Sequence, residues 1–277
     1  MSSTETYLSF FSTLASRAPF TIFTLFLLTM LRLGPTLALA PFFGVRVPSP
    51  VKMGLLIAFS IVILPKVAVT ATSLVDFNSE YIGLCIKELG IGFVLAFFAS
   101  VPFYIAQSSG IAIDFLRGAS SLQVTDPTTQ QQSSDIGLLY NYVLIALFYE
   151  MNGLYYYLSA FVESYTTIPA DQWVPIAFFT YDHTFWQNIW ALVHKIFSIA
   201  IQLASPSILA ILMTQLFLGI ANRLAPQVQI VFLGMSLQSL VGLALLWVAW
   251  YFILQQVSKQ TMGWLDHIMY MVRTALI

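Results

Sequence analysis

Lys87, Glu88 and Glu150 are among the ionisable side chains that stand inside strongly apolar stretches. Groups of this kind in a membrane carry protons through transporters, or hold a neighbouring helix as a fixed charge pair. Adjacent helical residues point about 100° apart, so Lys87 and Glu88 are not expected to neutralise each other fully. Other chemistry is poorly provided for. His183, His194 and His267 form no i,i+4 pair and no HExxH, so a zinc-hydrolase helix is not encoded. Asp182-His183 reads as a dyad fragment, but it lies among Phe178, Phe179, Tyr181, Phe185 and Trp186, the composition of an interfacial aromatic belt. Neither a nucleophile elbow nor a Walker loop is present. Cys85 is the single cysteine, which excludes an intrachain disulfide and a thiolate metal cage and suits a small apolar filler. Gly90-Ile91-Gly92 reads as a site of close helix packing rather than a nucleotide loop. The expectation is a protein that is not an enzyme and binds no metal or cofactor.

The elements that must position these side chains are set by composition. Only 8% of the 277 residues are charged, 11 basic and 12 acidic, while 58% are apolar. Mean hydropathy is +0.83. So few charges cannot coat a water-exposed surface of this size, and the apolar content excludes disorder. A net charge of −1 without a basic stripe argues against nucleic acid as a partner. What is left is an all-α polytopic membrane protein or a chain buried in apolar protein.

Six stretches approach the roughly 20 residues needed to span a bilayer as a helix. They run over 20–43, 53–71, 82–106, 136–161, 189–218 and 230–254. The first is read as a membrane helix rather than a cleaved leader, because Arg32 interrupts it and Glu5 precedes it. Five of the six are interrupted: by Arg32, Gly34 and Pro35; by Pro65 and Lys66; by Lys87, Glu88 and Pro102; by Glu150 and Asn152; and by Pro206 and Gln215. A charge near the bilayer centre costs about 2.5–3.5 kcal/mol on insertion scales. Such helices are therefore expected to pack against other helices, of this chain or of partners.

Between the third and fourth stretches lies a polar segment, 107–135, rich in Ser, Gln and Thr and carrying Asp114, Arg117, Asp126 and Asp135. Gly110 and Gly118 permit sharp reversals, and Asp126-Pro127 opens a turn. Two readings stand: a solvated linker, or a loop that folds back into an assembly, as connections of this length often do.

Several stretches taken together resemble one family. Leu31-Arg32, Ala40 to Gly44, Pro48, Lys52-Met53-Gly54 and Pro65 come first. Gly110, Asp114, Gly118 and Asp126-Pro127 follow, then Asn152-Gly153, Glu163-Ser164-Tyr165 and Pro169. Ala204-Ser205-Pro206 and Asn222 to Gln227 complete the series. In order and spacing these resemble the FliR/SctT family, the export-gate subunit of flagellar and type III secretion systems. Gln130–Gln132 and Glu163-Ser164-Tyr165 look more like injectisome members.

The resemblance implies a fold like a P/R-type subunit fused to a Q/S-type subunit, in one membrane domain over 1–260 followed by a short tail over 261–277. It implies a non-enzymatic role in the bacterial inner membrane, seated toward the periplasmic side. One copy would join five P/R-type and four Q/S-type subunits around the secretion channel. A U/B-type switch protein and an export-gate ring would lie below, and inner rod or adapter subunits above. Secreted proteins would pass through in transit, with lipid around the assembly. The segment Gly118, Ala119, Ser120, Ser121, Leu122, Gln123, Val124 and Thr125 would plug the closed pore, with Gly110, Asp114, Asp126 and Pro127 shaping the loop. Flagellar relatives tend to carry bulky aromatics in this segment, whereas this chain has only Leu122 and Val124 as sizeable apolar side chains. Arg32, Lys87, Glu88, Glu150, Asn152 and Arg223 are expected to serve subunit packing. Arg223 also suits a snorkelling basic residue at a helix end. The competing reading is a stand-alone secondary transporter coupling ions through Glu150 and Lys87, although inverted-repeat symmetry is not evident.

Overall fold

The computed structural model describes residues 19–44, 47–71, 77–117, 134–174, 184–224 and 230–274. Among these every regular element is helical. We number them α1 (Pro19–Leu39), α2 (Ser49–Thr70), α3 (Ser79–Leu116), α4 (Asp135–Glu150), α5 (Gly153–Thr167), α6 (Thr184–Leu224) and α7 (Ile230–Thr274), with a 3₁₀ turn over Pro41–Phe43 after α1. The chain is an all-α polytopic membrane protein.

Among the described residues five segments, rather than the six expected, are long and apolar enough to cross a membrane: Phe20–Leu39, Ser49–Thr70, Ser79–Leu116, Ile196–Leu224 and Ser236–Trp264. The stretch 136–161, expected as one span, is two helices of 16 and 15 residues. Asn152 divides them by adopting the left-handed conformation, φ 55° and ψ 29°. Asparagine tolerates this region better than most side chains. Its carbonyl then accepts from the Tyr155 and Tyr156 amides at 2.9 and 3.2 Å and starts α5.

The proline interruptions behave differently. Pro35, Pro65, Pro102 and Pro206 all lie inside continuous helices. Neighbouring groups re-satisfy backbone freed by proline in membrane helices, which makes it tolerable there. Two further boundaries move. α3 runs on through Gln107–Leu116, so the first ten residues of the expected polar loop are helical. Ser109 is buried there because its hydroxyl donates to the Ala106 carbonyl at 2.7 Å. α7 continues to Thr274, so most of the expected tail is helix.

The chain divides into two compact units. The first comprises Met1–Val101, Asn152–Trp190 and Trp264–Ile277. Its core gathers Leu25, Leu28 and Leu33 of α1 with Tyr157, Phe161 and Tyr165 of α5, all nearly inaccessible. Phe42 meets Tyr157 edge-on at 5.6 Å, and the Tyr157 hydroxyl shares a 2.7 Å hydrogen bond with Thr36. The second unit comprises Pro102–Met151 and Ala191–Gly263. Phe103, Ile113, Leu144, Phe148 and Ile211 form its core, with Phe103 and Phe148 in T-shaped contact at 5.5 Å.

Candidate functional site

In the first unit the backbones of α1 and α3 meet at Gly92. A Cβ there would collide with the Arg32 carbonyl, whereas Gly90 has nothing within 4 Å. Of the two glycines, Gly92 therefore makes the close approach. One helical turn earlier on the same face stands Glu88, which places its carboxylate opposite the Arg32 guanidinium.

Both side chains are fully buried. Arg32 Nε donates to Glu88 Oε2 at 2.5 Å, and Nη2 donates to Oε1 at 2.7 Å, the two-pronged geometry that suits a planar guanidinium. The remaining Arg32 donors reach α5 and the residue after it. Nη1 donates to Ser164 Oγ at 2.9 Å, and Nη2 also to the Ile168 carbonyl at 2.9 Å. The Tyr165 ring lies 3.8 Å from the guanidinium carbon, a cation–π contact. Burial pushes the Tyr165 hydroxyl above its ordinary pKa range, only partly opposed by Arg32, so the ring stays neutral beside the cation.

Lys87 belongs to the same cluster. Its ammonium lies 2.7 Å from Glu88 Oε1, so the adjacent pair, expected to diverge, makes direct contact. The side chain bends toward its neighbour because three carbonyls wait in the same direction. Lys87 Nζ donates to Pro169, Ala170 and Gln172 at 2.8, 3.0 and 2.9 Å. These carbonyls lie in the irregular stretch just past the end of α5. One anion and two cations thus join α1, α3 and the end of α5. Every donor of the lysine has an acceptor.

In the second unit the backbones of α3 and α4 touch at a glycine pair. A Cβ on Gly110 would lie 2.5 Å from the Gly137 amide nitrogen and 2.7 Å from the Ile136 carbonyl carbon. Asp114 stands one turn further along α3, buried to 3% exposure. Its Oδ1 accepts from Arg117 Nε at 2.6 Å. Its Oδ2 accepts from Ser134 Oγ at 2.5 Å and from the Ile136 amide at 3.0 Å. Ser134 Oγ in turn accepts from the Gly137 amide at 2.9 Å and caps α4, as a serine before a helix does. The last described residue before the segment 118–133 and the first after it are therefore held by one carboxylate.

The other expected site residues are placed apart from these clusters. Glu150 is exposed at the end of α4, Asn152 is the exposed turn residue, and Arg223 is exposed in the last turn of α6. Gly118, Ala119, Ser120, Ser121, Leu122, Gln123, Val124, Thr125, Asp126 and Pro127 lie outside the described residues, as does Asp182-His183. Sequence reasoning noted Arg117, Ser164 and Tyr165 without giving them a place in the site, and missed Ser134 and the carbonyls of 168–172. Ser134 was signalled by its place before the Asp135 helix start, and Arg117 by its i,i+3 spacing from Asp114. Among the described residues no three His, Cys, Asp or Glu side chains gather as a metal site.

The sequence pattern of a family described as bacterial export proteins, family 1, matches residues 23–263. Among curated relatives, the secretion system apparatus protein SsaT of Salmonella typhimurium is 30% identical over 164 residues, covering 59% of this chain and 61% of that protein. Yop proteins translocation protein T of Yersinia pestis is 29% identical over 160 residues, 58% of this chain and 60% of that protein. The flagellar biosynthetic protein FliR of Bacillus subtilis is 27% identical over 226 residues, 81% of this chain and 85% of that protein. The chain thus spans about three fifths of the length of the first two relatives it matches.

Proposed function

The chain belongs to the bacterial export proteins, family 1, and from that premise we propose that it is the export-gate subunit of a type III secretion system, injectisome-type rather than flagellar. One copy joins five P/R-type and four Q/S-type subunits in the inner membrane and protrudes toward the periplasm. A switch protein, an export-gate ring and rod or adapter subunits complete the machine, and unfolded secreted proteins pass through it. The chain performs no catalysis of its own.

The observation that carries this reading is the family match over residues 23–263, nearly the whole described length. The injectisome preference draws on SsaT and the Yop translocation protein, both named for secretion or translocation. Two structural features suit the role. The buried Arg32–Glu88–Lys87 cluster makes a rigid frame, as a subunit around a channel requires. The exposed apolar rows of α6 and α7, including Phe197, Ile201, Leu216, Trp247 and Tyr251, suit a chain covered by lipid and by partners.

Within this assembly Gly118–Thr125 plugs the resting pore, blocking by backbone bulk with Leu122 and Val124 as its sizeable apolar side chains. The transporter alternative draws no support from the geometry. A coupling lysine must gain and lose a proton or ion, whereas Lys87 is engaged by three carbonyls and Glu88.

Deleting Ser120–Val124 in the assembled secretion system tests the plug. The resting membrane should then admit small molecules that it normally excludes. Unchanged permeability, with the assembly intact, contradicts the assignment.

A further inference from the structure

Lys66 and Glu163 lie in the first unit, outside the buried Arg32–Glu88–Lys87 cluster. Both line a groove of about 600 Å³ between α2 and α5. Its walls are apolar, with Phe59 and Val62 on the α2 side and Leu158 and Val162 on the α5 side.

The two charges share one end of the groove. α5 runs antiparallel to α1, because Arg32 reaches Ser164 while Thr36, one turn on, meets Tyr157. α2 also returns along α1, after the turn over Pro41–Phe43. α2 and α5 are therefore parallel. Lys66 stands four residues before the end of α2, and Glu163 four residues before the end of α5. Lys66 is in no ion pair among the described residues.

The surroundings favour lipid over a neighbouring helix. α2 is long and apolar enough to cross a membrane, yet only 33% of its most apolar part is buried. Val62 is 75% exposed. Helices approach closely in membranes where small side chains line the contact, and the bulky walls here hold a helix off. An acyl chain needs only apolar walls. A lysine one turn from the end of a membrane helix reaches headgroup level, and basic groups between membrane helices take lipid headgroups. A carboxylate beside that lysine repels a purely anionic headgroup and accepts from one that also carries an ammonium.

We propose that the α2–α5 groove binds a zwitterionic phospholipid with a primary ammonium, a phosphatidylethanolamine. Lys66 Nζ donates to the phosphate, the Glu163 carboxylate accepts from the ammonium, and one acyl chain lies along Phe59, Val62, Leu158 and Val162. The site requires only that the chain sit in a bilayer, so it stands apart from the gate reading.

The test is competition among dioleoyl-phosphatidylethanolamine, dioleoyl-phosphatidylcholine and dioleoyl-phosphatidylglycerol for the full-length chain in mild detergent, read by native mass spectrometry. The wild type should prefer the ethanolamine lipid, because choline has no N–H to donate and glycerol leaves the phosphate charge facing Glu163. Lys66→Gln should weaken ethanolamine-lipid binding about tenfold, as expected for loss of one charge-assisted hydrogen bond. Glu163→Gln should abolish the preference over the glycerol lipid. Leu158→Trp, which fills the groove and keeps both charges, should weaken all three lipids. In native membranes a phosphatidylethanolamine with a photoreactive acyl chain should label the α2 and α5 peptides that line the groove.

Equal binding of the three lipids by the wild type overturns the headgroup assignment. Unchanged binding in both charge variants and in Leu158→Trp overturns the site. Binding in detergent without labelling in native membranes overturns the proposal in favour of a partner helix that covers the groove. Should a charge variant fail to fold, Leu158→Trp and the labelling decide by the same readings.

Discussion

Glu88 and Asp114 are placed by the same device and put to different uses. Each stands one helical turn from a glycine on α3, Glu88 before Gly92 and Asp114 after Gly110, and each glycine brings α3 into backbone contact with another helix. Glu88 is wholly buried, and its partners are two cations, one of them from α1. Asp114 keeps a trace of exposure and binds one cation just past the end of its own helix, one hydroxyl and one amide. A carboxylate that faces charge from another helix fixes helices to each other. One that binds the last described residue before 118–133 and the first after it links the end of α3 to the start of α4 instead. The first is a frame and the second a fastening, and the energetic stakes differ accordingly.

The largest expected effect is at the frame. Glu88→Ala leaves Arg32 buried without its counter-charge, and breaking a buried pair in this way costs about 3–5 kcal/mol. Thermal unfolding of the detergent-solubilised protein should register a loss of that order. A cost no greater than that of Asp114→Ala would break the comparison.

Glycine substitutions come next. Gly92→Val must displace the Arg32 carbonyl, and overpacking of that kind costs about 1–3 kcal/mol. Gly90→Ala serves as the counterpart. With nothing within 4 Å of its Cβ, it should be neutral or stabilise by about 0.5–1 kcal/mol, the helix propensity gain. Equal destabilisation at both sites, read by the same thermal assay, would show that Gly92 is not the contact point.

Ser164→Ala removes one of several bonds to Arg32 and should cost about 1 kcal/mol, the smallest change of the set. A loss as large as that of Glu88→Ala would mean that Ser164, rather than the carboxylate, carries the frame.

Much of this was legible in the residues, and what was not has physical causes. Arg32, Lys87 and Glu88 could be read as groups that must face protein, because lipid cannot solvate them. Their pairing could not, since Arg32 and Glu88 are 56 residues apart and Arg32 and Ser164 are 132 apart. Gly90 and Gly92 looked equivalent, although the i,i+4 register from Glu88 singles out Gly92. The segment 107–116 read as loop because Ser and Gln are polar. In a buried helix a serine hydroxyl satisfies itself on its own backbone, as Ser109 does. Asn152 was read as an interruption within one helix, yet Asn-Gly is a turn signal and the chain turns there. The prolines misled in the opposite sense, because a continuous helix absorbs them when its surroundings are apolar protein or lipid.

The central claim is that this chain acts as one subunit of a larger gate. Native mass spectrometry of the tagged protein, purified in mild detergent after expression with its own operon, tests it most directly. The account predicts a complex in which a single copy of this chain is held by smaller helical membrane proteins in unequal copy number, five of one kind and four of the other. A homogeneous monomer that transports a solute when reconstituted alone would contradict it.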